Sequence, residues 1–235
     1  MPYELTNHNK LTLAIHSTDD SFGFAYRENK NSLSENFFTK KFEKDLCNNL
    51  IVDFSNFITK ENLKRINKIS VSIGPSNFNA SRQIIVLART LAQQINCSLD
   101  SFSSFELMAK RIATQNNIYY DKNSFWIFKK LKRRGYIAGK YEVCISEKPN
   151  KNITIKEKII PKIFEELTDT ESSYQAEYSD IEDLQELLNL SNKNLQNSSS
   201  NTWEKVLPLY PISPTNYHSF KQIIYRLLQM ICYFT

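Results

Sequence analysis

Residues 11–27 read LTLAIHSTDDSFGFAYR, and the fold follows from how this stretch divides. Residues 11–17 are a short, mostly apolar run of the kind that fills a buried strand. Thr18, Asp19 and Asp20 make a short polar link, and after it Phe22, Phe24 and Tyr26 alternate with small or polar residues. A period of two on both sides of so short a link is a hairpin. A third strand is expected from Leu33 to Thr39, giving three antiparallel strands in sequence.

Beyond this meander the period changes. Leu46, Leu50, Phe54 and Phe57 recur at three- and four-residue steps, with Cys47, Ile51 and Ile58 widening the stripe, which predicts a helix over about 44–58 with an unusually broad apolar face. A strand is expected at Ile69–Ile73, closed by Gly74-Pro75. A helix over about 80–95 follows, with Ile84, Leu87, Ala88, Leu91, Ala92 and Ile95 apolar. Leu99–Phe102 is a short strand, and Ser103 or Ser104 caps a third helix running through Lys110. From about residue 115 a second unit begins. Ser124–Phe128 and Gly135–Ile145 are expected to pair, Asn152–Ile160 to add a strand broken by Pro161, and 180–190 (DIEDLQELLNL) to form an amphipathic helix. Residues 191–202 read as a polar linker. Residues 217–235, YHSFKQIIYRLLQMICYFT, have helical periodicity and an apolar end, and pack back on the second unit or rest on a membrane surface. Strands in a run, then alternating helices and strands, then strands again imply an α/β protein of two related lobes, 1–113 and 114–235.

Composition narrows the function classes. An apolar content of 41% supports a packed core, and 12% aromatic residues argue against global disorder. No stretch approaches the roughly 20 uncharged apolar residues needed to cross a bilayer, and the N-terminus lacks the pattern of a signal peptide. The four cysteines, Cys47, Cys97, Cys144 and Cys232, have no CxxC pair; reduced thiols and a cytoplasmic location are expected. A net charge of +5 permits a contact with RNA without predicting one. Only four glycines occur, Gly23, Gly74, Gly135 and Gly139, and neither GxGxxG nor GxxxxGK[ST] is present, which disfavours a standard nucleotide-binding enzyme.

Four stretches together point to a family: LAIHSTDDSFGFAY at 13–26, SIGPSNFNASRQIIVLARTLAQQI at 72–95, RRGYIAGKYEV at 133–143 and VLPLYPISP at 206–214. In that order and near that spacing they resemble the TsaB (YeaZ) family, whose opening reads like LAIDTST and whose central loop reads like GPGSFTGLR before a helix. The resemblance implies an actin/Hsp70/sugar-kinase-like (ribonuclease-H-like) fold of two lobes with mixed sheets. It implies a non-catalytic subunit without a cofactor, dimerising with TsaD, the subunit that transfers the threonylcarbamoyl group to the adenosine next to the anticodon of tRNA. A TsaE-like ATPase in the same complex, and a homodimer through the same helices, are further implied partners; tRNA contact is expected to be indirect or weak, and no membrane is involved. The docking surface implied by the family maps onto Leu46, Leu50, Phe54, Phe57, Ile84, Leu87, Ala88, Leu91 and Ile95.

Departures from the family lie where chemistry would be. His16 stands where catalytic members of the superfamily carry a carboxylate, and neutral imidazole cannot serve as a hard anionic ligand for Mg²⁺. Ser76 and Ala80 replace glycines of the central loop, and Leu131 replaces an aspartate. No metal site is expected, since HxxxH spacing is absent. Ser17 and Thr18 either touch a nucleotide phosphate or satisfy their own turn. Gly74, Pro75, Phe78 and Arg82 either form a docking or ligand loop or are structural, Phe78 plugging the lobe and Arg82 pairing with an acid. Lys129, Lys130, Lys132, Arg133 and Arg134 either hold RNA backbone or form a solvated hairpin tip. The alternative to an accessory subunit is an autonomous ATPase or kinase of the same superfamily, for which Asp19 and Asp20 are the nearby acids. A peptidase finds neither a metal cluster nor a Ser/His/Asp arrangement.

Overall fold

Strand β1 (Leu11–Ser17) is buried at every residue, which demands a neighbour on each edge and cover on both faces. It has all four. The structure is a computed structural model; it describes residues 10–29, 31–42, 46–118, 123–131, 135–145, 153–167, 172–194 and 203–211. β1 pairs antiparallel with β2 (Ser21–Glu28), which pairs antiparallel with β3 (Asn31–Lys41), so the expected meander is present. On its other edge β1 runs parallel to β4 (Ile66–Ser72), and β4 runs parallel to β5 (Ser98–Phe102). The strand order is β3-β2-β1-β4-β5.

Two helices lie on one face of this sheet. Helix α1 (Leu46–Phe57) follows β3, and α3 (Phe78–Ile95) links β4 to β5 after the short α2 (Lys60–Arg65). The Asn77 side chain accepts from the amides of Asn79 and Ala80 to start α3, and Asn96 closes it in the left-handed region at φ 52°. Leu50 and Phe54 of α1, with Ile58 just after it, meet Leu13, Ile15, Phe22 and Phe24 of the hairpin and Ile84, Ile85, Ala88 and Ala92 of α3 in one core. Phe24 is edge-on to Phe54, with ring centroids 5.2 Å apart.

The opposite face is lined by small residues, Ala14, Gly23 and Ala25, and is covered by α5 (Asp180–Asn194) through Leu184, Leu187 and Leu188. A Cβ on Gly23 would come within 2.8 Å of the Leu184 side chain and 2.7 Å of the Phe38 carbonyl, so only glycine allows so close an approach. Two anchors hold the far end of α5. Buried Lys68, ion-paired with Asp100 at 2.7 Å, donates to the Ser191 carbonyl at 2.8 Å. Arg27 donates to the Asn189 side chain at 2.9 Å.

Among the described residues a second sheet runs β8-β7-β6-β9, from β8 (Ile153–Phe164), β7 (Tyr136–Ile145), β6 (Ser124–Lys130) and β9 (Ser173–Gln175). β6, β7 and β8 are antiparallel and β9 is parallel to β6. Helix α4 (Ser104–Gln115), capped by Ser103, packs Phe105, Met108, Ala109 and Ile112 on Phe125, Ile127 and Tyr141 of this sheet. The division expected at 113/114 therefore does not separate the two cores, because α4 serves the second sheet and α5 returns to the first. Nor does Pro161 end its strand. β8 is an edge strand, and Pro161 lies where the pairing with β7 shifts register between Ala138 and Lys140, so no ladder bond is lost there. The expected linker at 191–202 begins as helix, since α5 continues to Asn194; 195–202 and the apolar segment 217–235 lie outside the described residues. Among the described residues no helix is long and apolar enough to cross a membrane. Burial pushes the Cys97 thiol up to about 12, leaving it unreactive at neutral pH.

The packing separates two sides of α1 that one broad apolar stripe had merged. Phe54 is 6% exposed and Val52 is 54% exposed. Phe54→Ala is expected to lower unfolding free energy by about 3–5 kcal/mol, and Val52→Asp by about 0.5 kcal/mol or less. Equal denaturation midpoints for the two variants would contradict this packing.

Candidate functional site

The C-terminal end of β1, the turn after it, the loop after β4 and the N-terminal end of α5 converge on the seam between the two sheets. This is where the resemblance places nucleotide contacts, and Ser17, Thr18, Asp19 and the Pro75 carbonyl each have a partner within the chain. The Ser17 hydroxyl is 3.2 Å from that of Ser76, which is 2.6 Å from that of Ser81. The Thr18 hydroxyl is 2.6 Å from that of Ser21, and Ser21 donates to the Asp180 carboxylate. Thr18 also closes the turn through its backbone, its N–H donating to the Ser21 carbonyl at 2.8 Å and its carbonyl accepting from the Asn77 N–H at 3.3 Å. Asp19 pairs with Lys129 from the second sheet, and the Lys129 ammonium lies 5.6 Å from the centre of the Tyr178 ring. The Tyr178 hydroxyl donates to the Pro75 carbonyl. Gly74 sits at φ 96°, where a side chain is strained, and its carbonyl accepts from the Ser104 N–H at 2.7 Å.

His16 lies beneath this seam, 1% exposed, with Nε2 3.8 Å from Asp183 Oδ2. Burial pushes its imidazole down to about 4, against the smaller opposing effect of the Asp180 charge. His16 is therefore neutral at pH 7 and places no charged group at the end of β1. Burial also pushes Asp183 up to about 6, opposed by the Ser179 backbone N–H and by Arg111. Arg111 of α4 donates to Asp183 Oδ1 at 2.9 Å and to the Glu177 carbonyl at 2.7 Å, and its Nε lies 3.2 Å from Glu182. Burial raises Tyr178 well above the usual tyrosine range, with the charges of Asp19 and Asp183 adding to the effect, so it stays a hydrogen-bond donor.

Ser17, Thr18, Gly74 and Pro75 are thus brought together, while Phe78 and Arg82 are not with them. Phe78 does not plug the lobe: it is 38% exposed and packs on Tyr210 at 5.0 Å, with the Arg82 guanidinium 5.4 Å from its centre. Lys129 is taken up by Asp19 and is not part of an open basic patch; Lys130 is exposed, and Lys132, Arg133 and Arg134 lie outside the described residues. Of the expected docking residues, Leu50, Phe54, Ile84 and Ala88 are buried in the chain's own core and cannot meet a partner. Phe57, Leu87, Leu91 and Ile95 are half-buried against that core. Leu46 opens α1, but its side chain is outside the described ones. The outward positions on the same helices are Ile51, Val52 and Val86, exposed by 64%, 54% and 64%. Among the described residues no group of three or more His, Cys, Asp or Glu is placed to hold a metal ion. Sequence reasoning missed Arg111, Tyr178, Asp180 and Asp183. The acids of the first turn of α5 were visible only as helix-start residues, and nothing near Arg111 or Tyr178 marks them.

The unfolded chain binds a proton on His16 below about pH 6.5, and the folded chain only below about 4. Folding that excludes this proton loses stability as pH falls through that window. Relative to His16→Gln, the unsubstituted protein should therefore lose roughly 3 kcal/mol between pH 6.5 and pH 4. Denaturant titrations of both proteins at several pH values test this; parallel profiles would show that His16 is not excluded from water as described.

No protein-family model matches the sequence, and no curated protein matches it. Solved structures do. YeaZ from Pseudomonas aeruginosa aligns with a TM-score of 0.61 at 12% identity, covering 86% of this chain and 99% of that one. An uncharacterized protein with similarity to peptidase YEAZ from Pseudomonas aeruginosa aligns with a TM-score of 0.57 at 13% identity, covering 86% of this chain and 100% of that one. Almost the whole of each neighbour is matched, at low sequence identity. The chain has the α/β actin-like fold in the form that YeaZ takes, as a divergent example of it.

Proposed function

We propose that this chain is an accessory subunit of the TsaB type, which docks a TsaD-like transferase and contributes no catalytic group to formation of the threonylcarbamoyl modification of tRNA. The observation that carries this reading is the closed seam. Ser17, Thr18, Asp19 and the Pro75 carbonyl are bonded to Ser76, Ser21, Lys129 and Tyr178 of the same chain. A phosphate and its Mg²⁺ would have to break those bonds, and they would find His16 where a carboxylate is needed. Asp20 is no substitute, being held near Thr18 and Lys41 on the exposed side of the turn.

The working surface is then the outer side of α1 and α3. Ile51, Val52 and Val86 are large apolar groups facing water, and such groups concentrate binding energy when a partner covers them. The subunit acts by holding the transferase in its competent conformation, because a partner favours whichever state it binds better. Contact with tRNA is indirect, a TsaE-like ATPase joins the same complex, and without the transferase the same face pairs two copies of this chain. The site of action is the cytoplasm.

Size-exclusion chromatography with the TsaD of the same organism tests the reading. A joint peak should form, and Ile51→Asp combined with Val86→Asp should abolish it by raising Kd at least about a hundredfold while leaving the fold intact. Separate peaks for the unsubstituted proteins, or Mg·ATP turnover by this chain alone, would refute it.

A further inference from the structure

Helix α4 covers one face of the second sheet, against Phe125, Ile127 and Tyr141, and the strand register puts the residues between them on the other face. Where such a face meets water its positions are ordinarily polar. Here four of them are aromatic. Trp126 and Phe164 meet edge to face with ring centres 5.3 Å apart, and Phe128 and Tyr136 do the same at 5.7 Å. Tyr136 lies directly across from Phe164, so the strands β6, β7 and β8 all contribute to one aromatic group. Each of the four is half-buried, and among the described residues none belongs to the three apolar cores.

The same face is basic. The register sets Lys140 across from Trp126, Lys130 across from Tyr136, Lys162 across from Ala138 and Lys156 across from Glu142. Among the described strand residues that the register places on this face, Glu142 is the one acid, and Lys158 holds it at 3.0 Å. Lysine on an edge strand commonly serves to block pairing with another chain, which would account for Lys156 and Lys162 on β8. It does not account for Lys140 on β7, a strand paired on both sides. The Lys140 ammonium lies 5.8 Å from the Trp126 ring centre, and that of Lys162 5.3 Å from the Phe164 ring centre. Rings interleaved with cations in this way match one ligand chemistry, flat bases joined by phosphates. An apolar protein surface would bury the lysines without partners, at a cost in desolvation. A duplex keeps its bases stacked within itself, so the rings select an unpaired strand. From Tyr136 to Lys140 is four residues of strand, about 13 Å, room for about two or three bases.

We infer that this face of the second sheet binds an unpaired nucleic-acid strand, with bases on the Trp126, Phe128, Tyr136 and Phe164 rings and phosphates on Lys130, Lys140, Lys156 and Lys162. The long lysine stems let Lys140 and Lys162 swing from the rings to phosphates, leaving the ring faces to bases. The inference stands without the accessory-subunit reading; held together with it, it adds a weak contact of this chain with RNA to the indirect one.

Trp126 fluorescence tests this without any partner protein, read in the full chain carrying Trp203→Phe so that Trp126 is its one tryptophan. An oligouridylate of about 12 nucleotides should quench it. Kd should rise roughly fiftyfold between about 50 and 200 mM salt where the four lysines each hold a phosphate. Lys156→Glu combined with Lys162→Glu should raise Kd at least about tenfold at the lower salt. The thermal midpoint of that variant should stay unchanged, because both lysines are exposed. Absence of quenching, or equal quenching by a duplex of the same length, would overturn the inference. Quenching that the double substitution leaves unaltered would overturn it by placing the strand elsewhere, and quenching that grows with protein concentration without RNA would do so in favour of a second copy. None of these outcomes bears on docking of a transferase at α1 and α3, so the two readings fail separately.

Discussion

Everything in this fold depends on α5 crossing back to the first sheet. The hairpin presents two unlike faces, one of Leu13, Ile15, Phe22 and Phe24 and one of Ala14, Gly23 and Ala25. The large-residue face needs two helices to cover it. The small-residue face needs one helix at close range, and α5 can approach only because Gly23 has no Cβ. Leu184, Leu187 and Leu188 are fully buried there, each contributing about 1.5–3 kcal/mol by removal from water. Lys68 and Arg27 then hold the far end of the helix by its Ser191 carbonyl and its Asn189 side chain. Lys68 is itself ion-paired with Asp100, and removing Asp100 would leave a bare buried charge at a cost of about 3–5 kcal/mol.

With α5 in place the near end of the helix completes the seam. Asp183 meets Arg111 from α4 and faces His16 from β1, and Asp180 takes the Ser21 hydroxyl. One buried acid thus joins a helix of each sheet to the central strand. Outside this cluster, Lys129 and Tyr178 reach Asp19 and Pro75, drawing the second sheet onto the first hairpin. The seam is a joint, and its polar residues are spent on holding the two halves together. This is why the functional reading moves to the outer helices, where apolar side chains are exposed and nothing within the described chain covers them.

Much of the first sheet was legible because strands of period two and helices of period 3.6 alternate cleanly from residue 11 to residue 110. The broad stripe of α1 hid its own orientation. With Leu50, Ile51, Val52 and Phe54 all apolar, periodicity cannot say which side meets the sheet, and the docking anchors were assigned to the buried side. The placement of α5 was hidden for a different reason. Its pattern shows an apolar face but not which sheet that face covers; the counterpart signal, the small residues Ala14, Gly23 and Ala25, carries no period of its own. β9 is three residues long and below any periodic signal. Arg111, Tyr178 and Asp183 come from three distant segments without a motif, so only the folded chain brings them together.

Two surfaces therefore carry opposite expectations, a closed seam and an open outer side of α1 and α3. Hydrogen exchange of the full chain, read by mass spectrometry with and without the same organism's TsaD and with and without Mg·ATP, addresses both at once. The account predicts that the transferase slows exchange in 46–57 and 78–95 and that Mg·ATP alone changes nothing at 17–21 or 74–77. Protection of 17–21 and 74–77 by Mg·ATP, with 46–57 and 78–95 unaffected by the transferase, would contradict it.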